Sequence, residues 1–374
     1  MVTVAQDEAF ARIRLLRSPH IGPISYRQLL ARFGNAAAAL EALPDLAGRG
    51  GAAYRAAPAE RIEDEIAAVK RAGARYLFDD SPDYPPLLGE LETAPPVLIV
   101  RGDGALLDRP AVAMVGARNA SAAAVKLARD IAAALSEAGQ VVVSGLARGI
   151  DGAAHHGALA GQNGQTGGTI GVIASGIDVA YPPEHRELQE RIASEGLLIA
   201  EQPPGTEPLA RHFPSRNRII AGLAAGTLVV EAAPKSGSLI TARLAGEAGR
   251  EVMAIPGSPL DSRAAGCNQL IRDGAVLVQS AQDVLELVTG FAGTPRSHFR
   301  DSAPVPFDPV DEGLAPERKC EPADIAHLLG VAPVGVDELI RQSGQGAAAV
   351  QLALLELEIA GRLTRHAGGR VSLA

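Results

Sequence analysis

Residues 97–290 constrain the fold of this chain most, because short aliphatic runs there alternate with glycine-rich turns and helical segments. The aliphatic runs lack the apolar–polar alternation of half-exposed strands, so both faces of the sheet they form are expected to be covered by helices. Strands are predicted at 97–100, 111–115, 141–143, 169–173, 197–200, 227–230, 252–255 and 276–278. Helices are predicted at 121–138, 152–160, 184–195, 217–223, 239–249 and 281–288. The pattern predicts an α/β domain at 81–290 with a Rossmann-like, mostly parallel sheet core.

Two smaller blocks flank this domain. Residues 1–80 read as four short helices, at 9–16, 24–33, 36–43 and 59–72, with a helix-hairpin-helix-like turn at Gly22 and Pro23. Such a turn exposes backbone N–H groups that can bind DNA phosphates, and a small helical packing domain is the alternative. Residues 320–374 read as helices at 322–329, 336–342 and 347–361 followed by a strand–turn–strand, which is a winged-helix pattern. Its four Lys/Arg against six Asp/Glu favour protein contact over DNA contact.

Composition limits the class of protein further. The net charge of the 374 residues is −8, which argues against coating nucleic acid by bulk charge but allows a local basic groove. Cys267 and Cys320 lie far apart without metal-ligand spacing, so neither a disulfide framework nor a cysteine zinc site is expected. This cysteine usage suits a reducing cytoplasm, where the protein is expected to be located. The N-terminus lacks the apolar run of a signal peptide, and no segment is apolar over a length that would span a membrane. Residues 291–319, with five prolines, read as a linker.

Four predicted strand-end loops carry residues suited to binding anions. Ligands of open α/β sheets lie beyond the carboxyl ends of the strands, where Arg118 follows the strand at 111–115. The next loop supplies Ser144, Gly145 and Arg148 before a helix begins, and glycines there let a ligand approach the backbone. A surface ion pair is the alternative for Arg118.

The third segment, HFPSRNRIIAGL, places an aromatic ring and two guanidiniums at the start of a helix. Phe213, Arg216, Asn217 and Arg218 supply the parts that phosphate contacts and one stacked base require. The alternative puts Phe213 in the core and pairs the arginines with acids such as Glu201 or Glu231.

The fourth loop joins a strand to a helix through Lys235, Ser236, Gly237 and Ser238. Hydroxyls and unpaired N–H groups at a helix start suit an anion, although the Walker sequence is absent. Asp151 and His155, four residues apart, share a helix face. Because no third ligand is spaced with them, a structural capping role is favoured over a metal or acid–base pair.

These motifs together resemble the bacterial DNA-processing protein A (DprA/Smf) family. The strings that carry the resemblance, in this order, are GARNAS, VSGLARGIDGAAHHGAL, FPSRNRIIAGL, EAAPKSGSLITA, GREVMAIPG and AAGCNQLIRDGA. The resemblance implies a protein of natural transformation that binds single-stranded DNA, protects incoming DNA and loads RecA recombinase onto it. It implies no catalytic residues and no cofactor, and a homodimer.

Transferred onto this sequence, the resemblance assigns the twelve loop residues named above to a DNA-binding pocket. It assigns Leu270, Ile271 and Leu277 to a dimer interface, with core positions as the alternative. Charge reversal at Arg216 is expected to reduce single-strand binding while leaving the fold intact. The second functional hypothesis is a nucleotide phosphoribohydrolase-type enzyme using Glu231, Asp151 and His155, although the PGGxGTxxE-type string of such enzymes is absent.

Overall fold

The computed structural model describes residues 5–162, 167–289, 321–366 and 368–374. The chain divides into two compact units, one formed by Glu65–Pro304 and one formed by Met1–Asp64 together with Val305–Ala374. The predicted linker at 291–319 lies outside the described residues. Within the described ranges, no helix combines the length and the hydropathy needed to cross a bilayer.

The N-terminal helices are α1 (Gln6–Leu16), α2 (Pro23–Phe33), α3 (Ala36–Arg49) and α4 (Ala59–Arg71). Helix α2 begins at Pro23 behind Gly22, whose N–H donates to Ser25 Oγ at 3.0 Å. It ends at Gly34, which has a φ of +80° and therefore the left-handed conformation that glycine tolerates best. The Asn35 side chain caps α3 by accepting from Ala38 N at 2.8 Å. The four predicted helices are all present, and the third continues through Pro44.

The larger unit contains a nine-stranded sheet with strand order β1-β2-β6-β5-β4-β3-β7-β8-β9. Its strands are β1 (Arg75–Phe78), β2 (Val97–Gly102), β3 (Ala111–Val115), β4 (Val141–Ser144), β5 (Thr169–Gly176), β6 (Leu197–Gln202), β7 (Gly226–Val229), β8 (Glu251–Ala254) and β9 (Val276–Leu277). Strands β3 to β9 pair in parallel, whereas β2 pairs antiparallel with both β1 and β6. The predicted mostly parallel, Rossmann-like core is confirmed.

Helices cover both faces of this sheet, as the unbroken aliphatic runs require. They are α5 (Pro86–Gly89), α6 (Ala122–Glu137), α7 (Ile150–Gly161), α8 (Arg186–Glu195), α9 (His212–Leu223), α10 (Gly237–Glu247), α11 (Ala265–Arg272) and α12 (Ala281–Val288). Successive residues of β3 enter opposite cores: Ala113 and Val115 lie in one, and Val112 and Met114 lie in the other. The sheet is thus buried from both sides, and its loops are the surface on which a ligand can bind.

Strand β1, helix α9 and helix α11 differ from their predicted extents. Strand β1 lies within the predicted N-terminal block, yet it pairs with β2 from Arg75 opposite Val100 to Phe78 opposite Val97. Helix α9 begins at His212, five residues before the prediction, because Pro214 occupies its first turn, where the missing N–H costs no hydrogen bond. Helix α11 was not among the predicted helices.

The C-terminal residues form a winged-helix domain, as the pattern predicts. Its elements are α13 (Pro322–Ala326), β10 (Val334–Gly335), α14 (Val336–Ser343), α15 (Ala347–Ile359), β11 (Leu363–His366) and β12 (Arg370–Leu373). Strand β12 lies between β10 and β11, antiparallel to both. Gly368 and Gly369 in the turn have φ angles of +74° and +62°.

Candidate nucleic-acid interface

The loops after β3 and β4, helix α9 and the start of α10 surround two adjoining pockets in the larger unit. One pocket has a volume of about 330 Å³ and apolar walls that include Tyr181. The other has a volume of about 460 Å³ and reaches the start of α10 at Ser236. Arg118, Phe213 and Arg216 line both pockets. The structure therefore brings predicted residues from all four segments to one edge of the sheet, at the carboxyl ends of its parallel strands.

Arg216 is the most constrained residue of this site. Its side chain is 6% exposed, and its Nη1 donates to the carbonyl oxygen of Val172 at 2.9 Å. A Cβ atom on Gly145 would lie 1.6 Å from Nη1, so the guanidinium lies directly against the bare backbone of that glycine. Only glycine at position 145 leaves this space, which explains why the second loop carries Gly145.

Burial and neighbouring charges define the electrostatics around Arg216. Burial lowers the pKa of Arg216 to about 10; Asp151 opposes this shift, and Arg118 adds to it. Burial also raises the pKa of the Asp151 carboxyl, and Arg216 is the largest influence lowering it. Arg216 Nε is buried without a hydrogen-bond partner among the described residues. A buried cation at a pocket wall suits a bound anion, because an opposite charge nearby offsets the cost of burying the guanidinium.

An aromatic pair stands beside the guanidiniums. The Cζ atom of Arg118 lies 5.0 Å from the Phe213 ring centroid, in cation–π geometry. The rings of Phe213 and Tyr181 are 5.7 Å apart at an interplanar angle of 60°. Tyr181 is 41% exposed, and Pro182 and Pro208 extend the apolar wall around it. This wall offers a nucleobase flat apolar surface within reach of cations.

The larger pocket ends at the start of helix α10. Ser236 caps this helix by accepting from Ser238 N at 3.4 Å, and the two hydroxyl oxygens are 2.8 Å apart. Lys235 is exposed and has a φ of +73°, a conformation rare for residues other than glycine. Gly237 has no heavy atom within 4 Å of the position a Cβ would occupy. Two hydroxyls, a lysine and the positive end of the helix dipole make this helix start suited to a phosphate.

Four of the residues predicted to bind DNA make hydrogen bonds or ion pairs within the protein. Ser144 is fully buried, and its hydroxyl donates to the Met114 carbonyl oxygen at 2.6 Å, so it supports β4 and lines neither pocket. Arg218 pairs with Glu201 and also lies outside both pockets, which agrees with the ion-pair alternative for that residue.

Arg148 reaches the smaller pocket but is paired with Glu184. Asn217 reaches the larger pocket, and its side-chain nitrogen donates to the Gly237 carbonyl oxygen at 3.5 Å.

Asp151 and His155 make structural contacts. Asp151 accepts from the N–H groups of Gly145 and Ala147 at 3.2 and 3.4 Å, which fixes the second loop. His155 Nε2 accepts from Leu146 N at 3.3 Å, and its Nδ1 lies 2.8 Å from Thr169 Oγ1.

Glu231 has a structural role of the same kind. Its carboxylate accepts from the N–H and the hydroxyl of Ser121 at 3.0 and 2.7 Å, which ties the first loop to the end of β7. In the part of the chain that the structure describes, no three His, Cys, Asp or Glu residues cluster in a metal-binding arrangement.

The three residues assigned to the dimer interface have unequal exposure. Leu270 is 5% exposed in the core, and Ile271 packs against the same core. Leu277 is 48% exposed. Leu277 is thus the member of the set that a second chain can reach without a rearrangement.

Tyr181 and Asn119 line the smaller pocket and were missed by sequence reasoning. Asn119 is next to Arg118 in the first motif, so its position in the sequence could have identified it as a pocket residue. Tyr181 lies between β5 and α8, at the end of a strand adjacent in the sheet to β4. The order of strands in the sheet, which the sequence pattern did not give, brings that loop to the pocket.

Comparison with known proteins agrees with this architecture. The family model for DNA recombination-mediator protein A matches residues 75–289. The chain belongs to this family. Models of the DprA-like N-terminal HHH domain and the DprA winged helix domain match residues 6–68 and 311–369. The predicted DprA/Smf membership and three-part architecture are therefore confirmed.

Two relatives named Smf and DprA align in sequence with this chain over most of their own length. Protein Smf of Synechocystis sp. is 36% identical over 325 residues, which cover 79% of each chain. The DNA processing protein DprA of Streptococcus pneumoniae is 50% identical over 209 residues, covering 56% of this chain and 72% of the relative.

Two solved structures are also similar. The X-ray structure of DprA from S. pneumoniae has a TM-score of 0.62 at 36% identity and covers 76% of this chain and 98% of that one. A structure described as giving insights into the single-stranded DNA binding mode of DprA from Helicobacter pylori has a TM-score of 0.52 at 29% identity. It covers 58% of this chain and 96% of that one.

Proposed function

We propose that this chain binds single-stranded DNA at the carboxyl edge of its parallel sheet and acts in DNA recombination without catalysing a reaction. The observation that carries the proposal is the shared wall of the two pockets. There the buried Arg216 lines both pockets together with Phe213, and the Phe213 ring contacts Arg118 and Tyr181. The similar H. pylori protein, described as binding single-stranded DNA, supports the same ligand.

The two pockets are suited to different parts of a nucleotide. A phosphate group fits the larger pocket, where the start of α10 and Lys235 supply donors and positive charge. A base fits the apolar wall of the smaller pocket beside Tyr181 and Phe213. Because phosphates carry no sequence information, binding is expected to tolerate different sequences, and it weakens as salt rises.

Single strands are favoured over duplex because the ring contacts require an unstacked base. The larger domain has 16 Lys/Arg against 19 Asp/Glu over residues 97–290, so attraction depends on the arrangement of a few cations. Duplex DNA keeps its bases stacked and offers the pocket only its backbone. Weak binding of bulk duplex follows from this arrangement.

The recombination steps form the second part of the proposal. A protein that holds single strands is suited to protecting incoming DNA during natural transformation and to handing it to RecA recombinase. We further infer a homodimer in which exposed Leu277 contributes an apolar contact. The DprA/Smf membership of the chain supports both inferences.

The phosphoribohydrolase alternative gains no support from the residues it would use. Asp151, His155 and Glu231 are buried and engaged in the hydrogen bonds that hold the pocket loops. Release of free base from nucleoside monophosphates would favour that alternative.

A gel shift on a single-stranded oligonucleotide and its duplex, at physiological salt, tests the proposal. Preference for the single strand supports it, and equal or absent binding contradicts it. Faster RecA filament formation on coated single strands tests the loading step separately.

A further inference from the structure

The third helix of a winged-helix domain is the element that enters the major groove in helix-turn-helix DNA readers. In this chain that element is α15, whose sequence AAAVQLALLELEI contains two glutamates and no lysine or arginine. The whole block 320–374 carries four Lys/Arg against six Asp/Glu. The helix therefore lacks the cationic side chains that most often contact phosphates and guanine edges.

Helix α15 is instead apolar on two faces. Val350, Leu354 and Leu357 lie in the core of the winged-helix domain. Leu352, Leu355 and Ile359 follow the spacing of a second helical face, and they join the core of the N-terminal helices. Leu355 and Ile359 are 3% and 1% exposed. The second face of α15 is thus covered by the N-terminal helices.

Polar contacts at the rim fix the position of α15 against the N-terminal helices. Gln28 Nε2 donates to Gln351 Oε1 at 3.2 Å, and Arg362 Nη1 donates to the Gly50 carbonyl oxygen at 3.1 Å. Arg49 Nη1 lies 3.4 Å from the carboxylate of Glu356, whose side chain is only 3% exposed. Burial raises the pKa of Glu356, and Arg49 opposes that shift.

The backbones also approach closely at Gly50. A Cβ atom there would lie 2.4 Å from the Glu356 carbonyl oxygen and 2.6 Å from Ala360 Cβ. The φ and ψ of Gly50 are −71° and −4°, which any residue adopts, so only the contact with α15 excludes a side chain.

The helix-hairpin-helix turn is engaged in the same unit. The N–H of Gly22 donates to Ser25 Oγ, so this amide is already paired. A Cβ atom on Gly361, just after α15, would lie 2.8 Å from His20 Nε2, which places the hairpin close to the end of that helix. The hairpin and the end of α15 therefore lie against each other within this unit.

We propose that α15 is a protein-docking helix whose partner is the N-terminal helical domain of the same chain, and that it does not read DNA. The two terminal domains then form one unit, to which the chain returns after passing through the DNA-binding domain. This proposal is independent of single-strand binding by the pocket residues.

Gly50→Leu tests it, with Gly48→Leu as the matched control. Gly48 is exposed, and nothing lies within 4 Å of its Cβ position. In the full-length chain, Gly50→Leu is expected to speed amide hydrogen exchange across residues 352–359 by at least about tenfold, while Gly48→Leu leaves it unchanged. Single-strand affinity and the low duplex affinity are expected to stay within about twofold, since neither resides in α15.

Two outcomes overturn the proposal. Equal exchange in the two variants shows that α15 is not docked at Gly50. A tenfold gain in duplex affinity when α15 is released shows that it is a masked DNA reader.

A cross-link keeps the test decisive if Gly50→Leu fails to fold. Gln28→Cys and Gln351→Cys, combined with Cys320→Ser, are treated with a short bis-maleimide. A cross-link within one chain that leaves both DNA affinities unchanged is the expected result. The absence of a cross-link, a cross-link between two chains, or loss of duplex binding on cross-linking overturns the proposal.

Discussion

The guanidinium of Arg216 occupies the space that a side chain on Gly145 would fill, because a Cβ there would lie 1.6 Å from Nη1. One residue comes from the loop after β4 and the other from α9, so the contact locks two parts of the site together. Arg216 keeps this position through its hydrogen bond to the Val172 carbonyl oxygen and its charge interaction with Asp151.

Gly145→Ala is expected to displace Arg216 and to weaken single-strand binding by about tenfold or more, the loss of one charge-assisted hydrogen bond. Fluorescence anisotropy with a labelled oligonucleotide measures the affinity. Gly48→Ala, at a glycine with open space around it, is the control and should bind as the unchanged protein does. Equal affinity of the Gly145→Ala protein would refute the role given to this contact.

Arg118→Ala is expected to weaken single-strand binding without loss of stability, because Arg118 is exposed at the pocket mouth. If it contacts one phosphate, the slope of log K against log salt becomes shallower by about 0.7. Arg129→Ala removes a charge that is also exposed, on α6 and outside both pockets, and should leave that slope unchanged. A salt titration of both variants decides the matter, and identical slopes would count against a phosphate contact at Arg118.

Tyr181→Leu is expected to weaken binding by about 1–3 kcal/mol, the cost of losing one stacked base. The salt dependence should stay the same, since no cation is removed. Tyr181→Phe keeps the ring and should retain the affinity. Equal losses in the Leu and Phe variants would exclude stacking as the role of Tyr181.

His155 predicts a pH dependence of stability. Burial lowers its pKa from 6.5 to about 3, so the unfolded chain takes up a proton below pH 6.5 that the folded protein does not accept. The contribution of His155 is therefore fully present above pH 6.5 and falls by about 1.4 kcal/mol per pH unit as pH drops toward 3. Urea unfolding at a series of pH values measures this slope.

His155→Gln removes this titration. The slope of the unfolding free energy against pH should therefore fall by about 1.4 kcal/mol per pH unit, the contribution of one proton. The exposed His327→Gln is the control and should match the unchanged protein. Parallel loss of stability in the unchanged and His155→Gln proteins would contradict the assignment.

The fold followed from local patterns in the sequence. Unbroken aliphatic runs separated by helices are sufficient to predict a covered parallel sheet, and the Gly-Gly turn predicts the wing of the C-terminal domain. Strand β1 was harder to predict because it is an edge strand of only four residues. Its pairing partner, β2, is separated from it in the sequence by a long connecting segment.

The sequence predicted most residues of the candidate site. The role of each residue, however, depends on how its side chain packs in the fold. Arg218 and Arg216 are two residues apart, yet one pairs with Glu201 and the other is buried against Gly145. Because Arg216 is buried, we expect charge reversal there to destabilise the fold, whereas the sequence alone led to the expectation that the fold would stay intact. A buried glutamate would place a second carboxylate beside Asp151, with the exposed Arg118 as the remaining neighbouring cation, and breaking a buried charge pair in this way costs about 3–5 kcal/mol.

Single-strand binding at the carboxyl edge of the sheet is tested most directly by locating bound DNA on the protein. A single-stranded oligonucleotide carrying 5-iododeoxyuridine is photo-cross-linked to the full-length chain, and the modified peptides are identified by mass spectrometry. We expect cross-links at Tyr181 or Phe213 that disappear with excess unlabelled single strand and persist with excess duplex. Cross-links confined to the terminal domains, with none at the sheet edge, would contradict this expectation.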